Sequence, residues 1–104
     1  MHGEPLRSQV TITNPQGFHL RPQSAFAQLA SQFQSQILIF LKEEEKIDGK
    51  SPWGLLGLST GQGSVLTLEV SGPDQDEALP ILVEFFSNLA KYDTDTESES
   101  EETP

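Results

Sequence analysis

Two hydrophobic periods alternate along this chain, and their order limits the folds that it can adopt. Apolar residues recur at every second position in three short stretches, which is typical of strands with one buried face. They recur at spacings of three and four residues in two longer stretches, which is typical of amphipathic helices. The strand-like stretches lie at 6–12, 37–41 and 65–70, and the helix-like stretches at about 20–33 and 79–92.

Weaker signals complete the pattern. The charged residues 43–45 favour a solvated turn. After this turn, residues 45–49 can form a short strand that includes Ile47. From 51 to 58, glycines interrupt the apolar residues and limit a helix to one or two turns. The predicted order is β-α-β-β-α-β-α. We therefore predict an α+β fold, an open-faced β-sandwich in which helices cover one face of a four-stranded antiparallel sheet.

The start of the last helix has two interpretations. Asp74 and Glu77 have the spacing of a capping box, with Asp in place of the usual Ser or Thr. Pro80 would then lie deep in the helix, where it removes a backbone hydrogen bond. A helix that starts nearer Asp76 is the alternative, because it brings this proline closer to the first turn.

The acidic residues divide the 104-residue chain into two parts. The net charge is −10 at pH 7, and six of the sixteen acidic residues lie in 93–104, which contains no apolar residue. We expect one domain over 1–92 and a disordered acidic tail over 93–104. The excess of acidic residues argues against nucleic-acid partners and anionic membrane surfaces. No apolar run is long enough for membrane insertion.

The absence of cysteine excludes several kinds of chemistry. The chain has no disulfide, no thiolate metal ligand and no thiol nucleophile. No other residues have metal-ligand spacing, so we expect neither a metal ion nor a cofactor. The lack of cysteine is compatible with a reducing compartment, and no secretory signal is visible near the N-terminus. We therefore expect a cytoplasmic location.

The sequence GFHLRP at 17–22 lies between the first predicted strand and the first predicted helix. Backbone N–H groups at a helix start lack internal partners, and together with the helix dipole they form an anion site. His19 is the predicted N-cap and a candidate nucleophile, because a neutral imidazole nitrogen can attack phosphorus near pH 7. Arg21 adds a planar charge that matches phosphate oxygens. The amides of Leu20 and Arg21 are the predicted backbone donors, whereas Pro22 has no N–H.

These residues also have plainer interpretations. His19 can be an exposed loop histidine that only caps a helix, and Arg21 can be an ordinary surface charge in a first turn. His2 has no comparable neighbours and is expected to belong to an irregular terminus.

A second motif, at 49–58, combines a capping serine with apolar residues. Ser51 is predicted to cap the short helix, with a proline at the first helical position. Leu20 lies off the apolar stripe of its helix, and Trp53 follows two capping residues. We predict that Leu20, Trp53 and Leu56 form an exposed apolar patch for partner docking. The alternative is that Trp53 is buried.

Both motifs resemble the signatures of the HPr family, the histidine-containing phosphocarriers of the phosphoenolpyruvate:sugar phosphotransferase system. The first signature corresponds to 17–22, and the second, which contains a regulatory serine, corresponds to 49–58. The resemblance extends over about 6–92 and agrees with the predicted order of elements. It implies a monomeric phosphoryl carrier rather than an enzyme.

The resemblance also implies a role for individual residues. His19 corresponds to the histidine that accepts a phosphoryl group on Nδ1 from phosphorylated enzyme I and passes it to an enzyme IIA component. Arg21 corresponds to the arginine that supports the phosphohistidine. Ser51 corresponds to the serine that HPr kinase/phosphorylase modifies in many bacteria. There the modification slows transfer through the histidine and signals carbon status, with a transcriptional regulator as a further partner.

The chain departs from the family pattern near both motifs. Leu20 stands where a small or hydroxyl residue is common, and Gln23 stands where alanine is usual. Pro52 and Trp53 stand where bulky aliphatic residues or Phe are common. Because these positions correspond to the docking surface of the family, the departures bear on partner choice. The acidic tail beyond Tyr92 is not part of the pattern.

Two other functions fit the same scaffold. A regulatory binding module would act in carbon or nitrogen signalling by phosphorylation-dependent docking, with Ser51 and Trp53 as its primary residues. A carrier in a nitrogen-related phosphorelay would use His19 without sugar transport. The sequence does not name the sugar or the enzyme IIA partner.

Overall fold

The computed structural model describes residues 3–41 and 46–93. Its elements follow the predicted order, and a turn of 3-10 helix is added after the second and after the third α-helix. The elements are β1 (Leu6–Thr11), α1 (Leu20–Ala30), β2 (Gln36–Leu41), β3 (Ile47–Asp48), α2 (Pro52–Leu55), the 3-10 turn Leu56–Leu58, β4 (Val65–Ser71), α3 (Gln75–Ser87) and the 3-10 turn Leu89–Tyr92.

The strands form one antiparallel sheet in the order β1-β4-β2-β3. β4 is the last strand in sequence but lies in the middle, where Leu68 pairs with Ser8 on one side and with Ile39 on the other. The helices cover one face of this sheet. The α+β open-faced sandwich predicted from the hydrophobic periods is therefore confirmed.

The core lies between the inner face of the sheet and the apolar stripes of α1 and α3. Alternate strand residues point inward, as a period of two requires. Fully buried members of the core are Ile12, Phe18, Phe26, Ala30, Ile37, Ile39, Leu55, Leu66, Leu68, Val70, Ala78 and Leu82. Burial of these side chains is the main favourable contribution to folding.

The helix ends differ from the predicted ones by a few residues. α1 ends at Ala30 rather than at Phe33, and the Ser31 hydroxyl donates back to a carbonyl of the last turn at 2.8 Å. That local hydrogen bond competes with continuation of the helix. α3 ends at Ser87, and the chain reaches Tyr92 as a 3-10 turn.

Asp74 precedes α3, but the predicted capping box is wrong. Its side chain makes no hydrogen bond to the helix. The carboxylate instead accepts from the Gln34 N–H at 2.8 Å and from the Ser35 N–H and hydroxyl at 2.9 and 2.5 Å. The Ser35 hydroxyl is the main cause that lowers the pKa of Asp74. Pro80 lies inside α3, which starts at Gln75.

The predicted strand through Ile47 is present as β3, which pairs with β2 through Ile39.

Some expectations lie outside the described residues. The charged turn at 43–45, His2 and all of the acidic tail except Asp93 fall outside 3–41 and 46–93. Within those two ranges, no helix has the length and apolar character needed to cross a membrane.

A charged cluster covers one aromatic residue on the outer face of the sheet. Phe40 points away from the core, yet it is only 2% exposed. The Arg7 guanidinium and the Lys46 ammonium lie 5.4 and 5.7 Å from its ring centroid. Both cations also contact a carboxylate oxygen of Glu69, at 2.7 and 3.4 Å. The alternation of residues did not predict this burial, which depends on side chains from three neighbouring strands and the residue before β3.

The carboxylate of Glu69 is held in its charged form. Burial raises the pKa of Glu69, but the hydrogen bond from Arg7 and the charge of Lys46 outweigh burial, so the pKa lies below its ordinary value of 4.5. A lowered pKa in the folded state stabilises the fold above the unfolded-state pKa. This contribution is lost as the pH falls through the lower folded-state pKa.

We therefore predict that Glu69→Gln lowers the free energy of unfolding by about 1 kcal/mol near pH 7, because it removes the charge that pairs with Arg7 and Lys46. The difference from the unmodified chain should shrink as the pH falls below 4.5 and through the lower folded-state pKa of Glu69, because the carboxyl group then becomes protonated in the folded chain as well. Urea denaturation at neutral pH and across the acidic range measures it. Glu77→Gln, in an exposed position on α3, is the control; an equal loss in both variants would contradict the prediction.

Candidate functional site

Gly17 allows the close approach of two loops just before α1. Gly17 has φ +75°, a conformation that favours glycine. A Cβ atom at this position would lie 2.2 Å from the Thr60 carbonyl oxygen. The same oxygen accepts a hydrogen bond of 2.9 Å from the Phe18 N–H. The close approach of the two loops therefore requires glycine.

Phe18 anchors the loop in the core. Its side chain is fully buried, and its ring centroid lies 6.3 Å from that of Phe26 and 5.4 Å from that of Phe86. Its carbonyl accepts a hydrogen bond of 2.8 Å from the Gln23 side-chain amide, which also donates to the Ser59 hydroxyl at 2.9 Å. His19 therefore follows a residue that is fixed through both its side chain and its backbone.

Gln23 is buried, although its position in the family pattern suggested that it would lie on the docking surface. Its side chain is only 1% exposed, so the expectation that this departure lies on the docking surface is wrong. The long amide replaces a small residue because it reaches the Phe18 carbonyl and Ser59 across the loop. Sequence reasoning missed this role, since both partners become neighbours only in the folded chain.

His19 is the N-cap of α1, as predicted. Its backbone is extended, and its side chain makes no cap hydrogen bond. The first helical hydrogen bond runs from the Gln23 N–H to the His19 carbonyl at 3.0 Å. The N–H groups of Leu20 and Arg21 therefore precede the first helical bond and have no internal helical partner. The first turn contains no acidic residue, so its positive end is not neutralised locally.

The two nitrogens of the His19 ring have different surroundings. Nε2 is buried and makes no hydrogen bond, and it faces the Asp93 Oδ1 atom at 3.4 Å. No hydrogen bond joins these two atoms, and the carboxylate is the charged group that faces this edge of the ring. The side chain as a whole is 27% exposed. With Nε2 turned inward, Nδ1 is the ring nitrogen left for a partner.

Asp93 is the site residue that the sequence did not reveal. From the sequence, Asp93 is expected to belong to the acidic tail. In the structure, the Asn14 side-chain amide donates a hydrogen bond of 2.8 Å to its carboxylate, although the two residues are 79 positions apart in the chain. No local pattern marks such a contact. It depends on the 3-10 turn after α3 that brings the chain back to the His19 loop.

Arg21 lies on the exposed side of the first turn. Within the described part of the chain, it has no acidic partner within ion-pair distance. Its guanidinium is therefore not committed to a carboxylate there. The same ranges contain no group of three or more His, Asp or Glu side chains placed to hold a metal ion.

The second motif has the predicted local geometry. The Ser51 hydroxyl accepts a hydrogen bond of 3.1 Å from the Gly54 N–H, and Pro52 is the first residue of α2. Trp53 is 83% exposed, so the alternative of a buried tryptophan is wrong. Leu20 and Leu56 are also exposed, at 61% and 41%. Exposure makes these three residues available to a partner, and their role in docking stays a prediction.

An open-faced sandwich with a histidine at the start of its first helix and a capping serine at the start of its second resembles the histidine-containing phosphocarriers. Residues 6–88 match the family described as the PTS HPr component phosphorylation site. The chain belongs to the HPr family, the phosphocarriers of the phosphotransferase system.

Individual relatives agree with this assignment. Phosphocarrier protein HPr of Cupriavidus necator is 37% identical over 83 residues, which cover 80% of this chain and 92% of that protein. Phosphocarrier protein NPr of Shewanella violacea is 41% identical over 88 residues, which cover 85% of this chain and 93% of that protein. The crystal structure of HPr from Thermoanaerobacter tengcongensis superposes with a TM-score of 0.76 at 34% identity, covering 86% of this chain and 99% of that chain.

We predict that Gly17→Ala destabilises the protein by about 2 kcal/mol, because the new Cβ meets a backbone oxygen and the positive φ is strained. Thermal or urea unfolding measures the loss. Gly57→Ala is the matched control, since a Cβ there meets no atom within 4 Å, and it should change stability by less than about 0.5 kcal/mol. Equal stabilities of the two variants would show that the loop does not depend on the glycine.

Proposed function

We propose that this protein accepts a phosphoryl group on His19 from phospho-enzyme I and passes it to an enzyme IIA component of the sugar phosphotransferase system. The observation that carries the proposal is the start of α1, where an imidazole with its Nε2 edge buried adjoins backbone N–H groups that have no helical partner. The protein acts as a monomeric carrier in the cytoplasm, and it does not turn over a small substrate by itself.

The geometry of the first turn supports a transfer in which each group has a stated role. The Nδ1 lone pair of His19 attacks phosphorus, the new N–P bond forms, and the bond to the donor nitrogen breaks with its electron pair returning to the donor. The N–H groups of Leu20 and Arg21 donate to the phosphoryl oxygens, and the Arg21 guanidinium balances their charge. Phosphoryl transfer depends mainly on such positioning and charge stabilisation.

A carrier must release the group that it binds. One arginine and one helix start supply less stabilisation than a site built around a metal ion and several cations, so the phosphoryl group stays transferable. This balance fits a protein that serves as acceptor in one complex and as donor in the next.

The exposed patch of Leu20, Trp53 and Leu56 is the proposed docking surface for enzyme I and for the enzyme IIA component. Large apolar side chains that are exposed on a small domain favour association, and Trp is over-represented among residues that dominate interfaces. Leu20 directly follows His19, so a partner seated on the patch would reach the reacting ring.

Ser51 is the proposed regulatory site. Phosphorylation by HPr kinase/phosphorylase, in a cell that has this enzyme, would add negative charge at the start of α2 and beside Trp53. The charge would weaken docking of partners that present acidic surfaces, and it would create a feature for a transcriptional regulator to recognise. The regulatory function would then be added to the carrier function on the same domain.

Incubation with enzyme I, Mg²⁺ and phosphoenolpyruvate tests the carrier function. We predict an acid-labile, base-stable phosphate that His19→Ala abolishes, because the acceptor nitrogen is gone. His2→Ala, which removes the only other histidine, is the matched control and should be labelled like the unmodified chain. Mass spectrometry under neutral conditions locates the modification.

Two outcomes would contradict the proposal. One is the absence of label with an enzyme I that phosphorylates a known HPr in the same assay. The other is full labelling of His19→Ala. Full labelling of His19→Ala would place the acceptor at another residue. Regulation that is retained in His19→Ala and lost in Ser51→Ala would favour the regulatory module.

A further inference from the structure

The chain after α3 returns to the loop that presents His19. Asp93, the last described residue, contacts three positions of that loop through its carboxylate. Oδ1 accepts from the Asn14 side-chain amide at 2.8 Å and lies 3.4 Å from His19 Nε2, while Oδ2 accepts from the Gln16 N–H at 3.4 Å. The carboxylate therefore bridges the turn before the histidine and the histidine ring itself.

This carboxylate is held in place from both sides. Asn14 is 2% exposed, and its amide donates to the Gly17 carbonyl at 2.9 Å as well as to Asp93. The Asp93 N–H donates to the Ala90 carbonyl at 3.0 Å and closes the 3-10 turn. The Asp93 side chain is only 16% exposed. These contacts distinguish it from the freely solvated acidic residues expected of a tail.

We propose that Asp93 is a positioning residue for His19. Its carboxylate holds the ring with Nε2 inward and protonated, and so presents Nδ1 to the phosphoryl donor. This inference rests on the proposed carrier function and adds a residue to its site. The geometry points to this role because Nε2 is buried and has no hydrogen-bond partner among the described residues, while Asp93 is the charged group that faces it.

The proposed role balances charge during transfer. Attack by Nδ1 on a protonated phosphoimidazole donor forms one N–P bond and breaks another, and the electron pair returns to the donor ring. The Nε2 proton stays on His19, so the phosphorylated ring carries a positive charge, while the donor leaves as a neutral imidazole. The Asp93 carboxylate faces the edge where that charge appears, and no proton has to move.

The distance between His19 Nε2 and Asp93 Oδ1 fits a contact that shortens when the ring becomes charged during transfer. At 3.4 Å, Nε2 and Oδ1 are farther apart than the roughly 2.8 Å of a charge-assisted hydrogen bond. Contacts that stabilise charge developing in a reaction are often long in the resting protein and shorten when the charge forms. Asn14 holds the carboxylate close enough for such a change.

The first test observes the ring without any transfer. In protein labelled with ¹⁵N-histidine, NMR should detect the Nε2 proton of His19 and show slow exchange with water. We expect Asp93→Ala to accelerate this exchange at least about tenfold, as for the loss of one partly buried charged contact. Asp76→Ala, at an exposed acidic position on α3, is the control. Unchanged exchange in Asp93→Ala would overturn the proposal.

The second test measures transfer. Asp93→Asn keeps the side-chain shape and an oxygen that can accept from Asn14, and it removes the charge. Its amide nitrogen replaces the oxygen that accepts from the Gln16 N–H at 3.4 Å, so unfolding by urea is measured alongside to confirm that the variant is folded. We expect it to lower the rate constant for phosphoryl acceptance from enzyme I about tenfold, with the KM for the carrier unchanged. Asp76→Asn should transfer like the unmodified chain. An unchanged rate in Asp93→Asn would overturn the role in transfer.

The two tests separate this inference from the proposed function. A protected Nε2 proton that depends on Asp93, in a chain that enzyme I does not phosphorylate, would support Asp93 as the positioning residue and refute the carrier function. A phosphorylated chain in which neither Asp93 variant has an effect would support the carrier function and refute the inference.

Discussion

The burial of Phe18 is the interaction on which the candidate site depends. Its ring packs against those of Phe26 and Phe86, and the residue after it is His19. A side chain fixed in the core positions the next residue to within the small freedom of one peptide unit. The fold thus supplies a rigid support for His19.

Backbone geometry adds a second constraint at the same place. Gly17 lets the loop approach Thr60 closely, and Gln23 ties the Phe18 carbonyl to Ser59. The helix that starts at Leu20 leaves the N–H groups of Leu20 and Arg21 without helical partners, directly after His19 in the chain. Few specialised residues are needed at the site, because the core, the loop and the start of α1 together position His19.

Much of this arrangement can be predicted from the sequence because it depends on neighbours in the chain. The strand and helix periods give the element order, and local capping preferences place His19 and Ser51 at helix starts. Long-range contacts escape such reasoning. Asp74 binds the loop before β2 rather than its own helix, and Phe40 is covered by two cations, one from β1 and one from the residue before β3. The sequence pattern does not distinguish Asp93 from the other acidic residues of 93–104, but the fold brings it beside His19.

The fold turns Nε2 of His19 inward, and we propose that Nδ1 is therefore the phosphoryl acceptor. ³¹P–¹⁵N NMR on the phosphorylated, ¹⁵N-histidine-labelled protein identifies the nitrogen bonded to phosphorus. We predict one phosphate on Nδ1 of His19, with a proton retained on Nε2. Phosphate on Nε2 would refute this proposal, because that nitrogen is buried beside Asp93 in the structure.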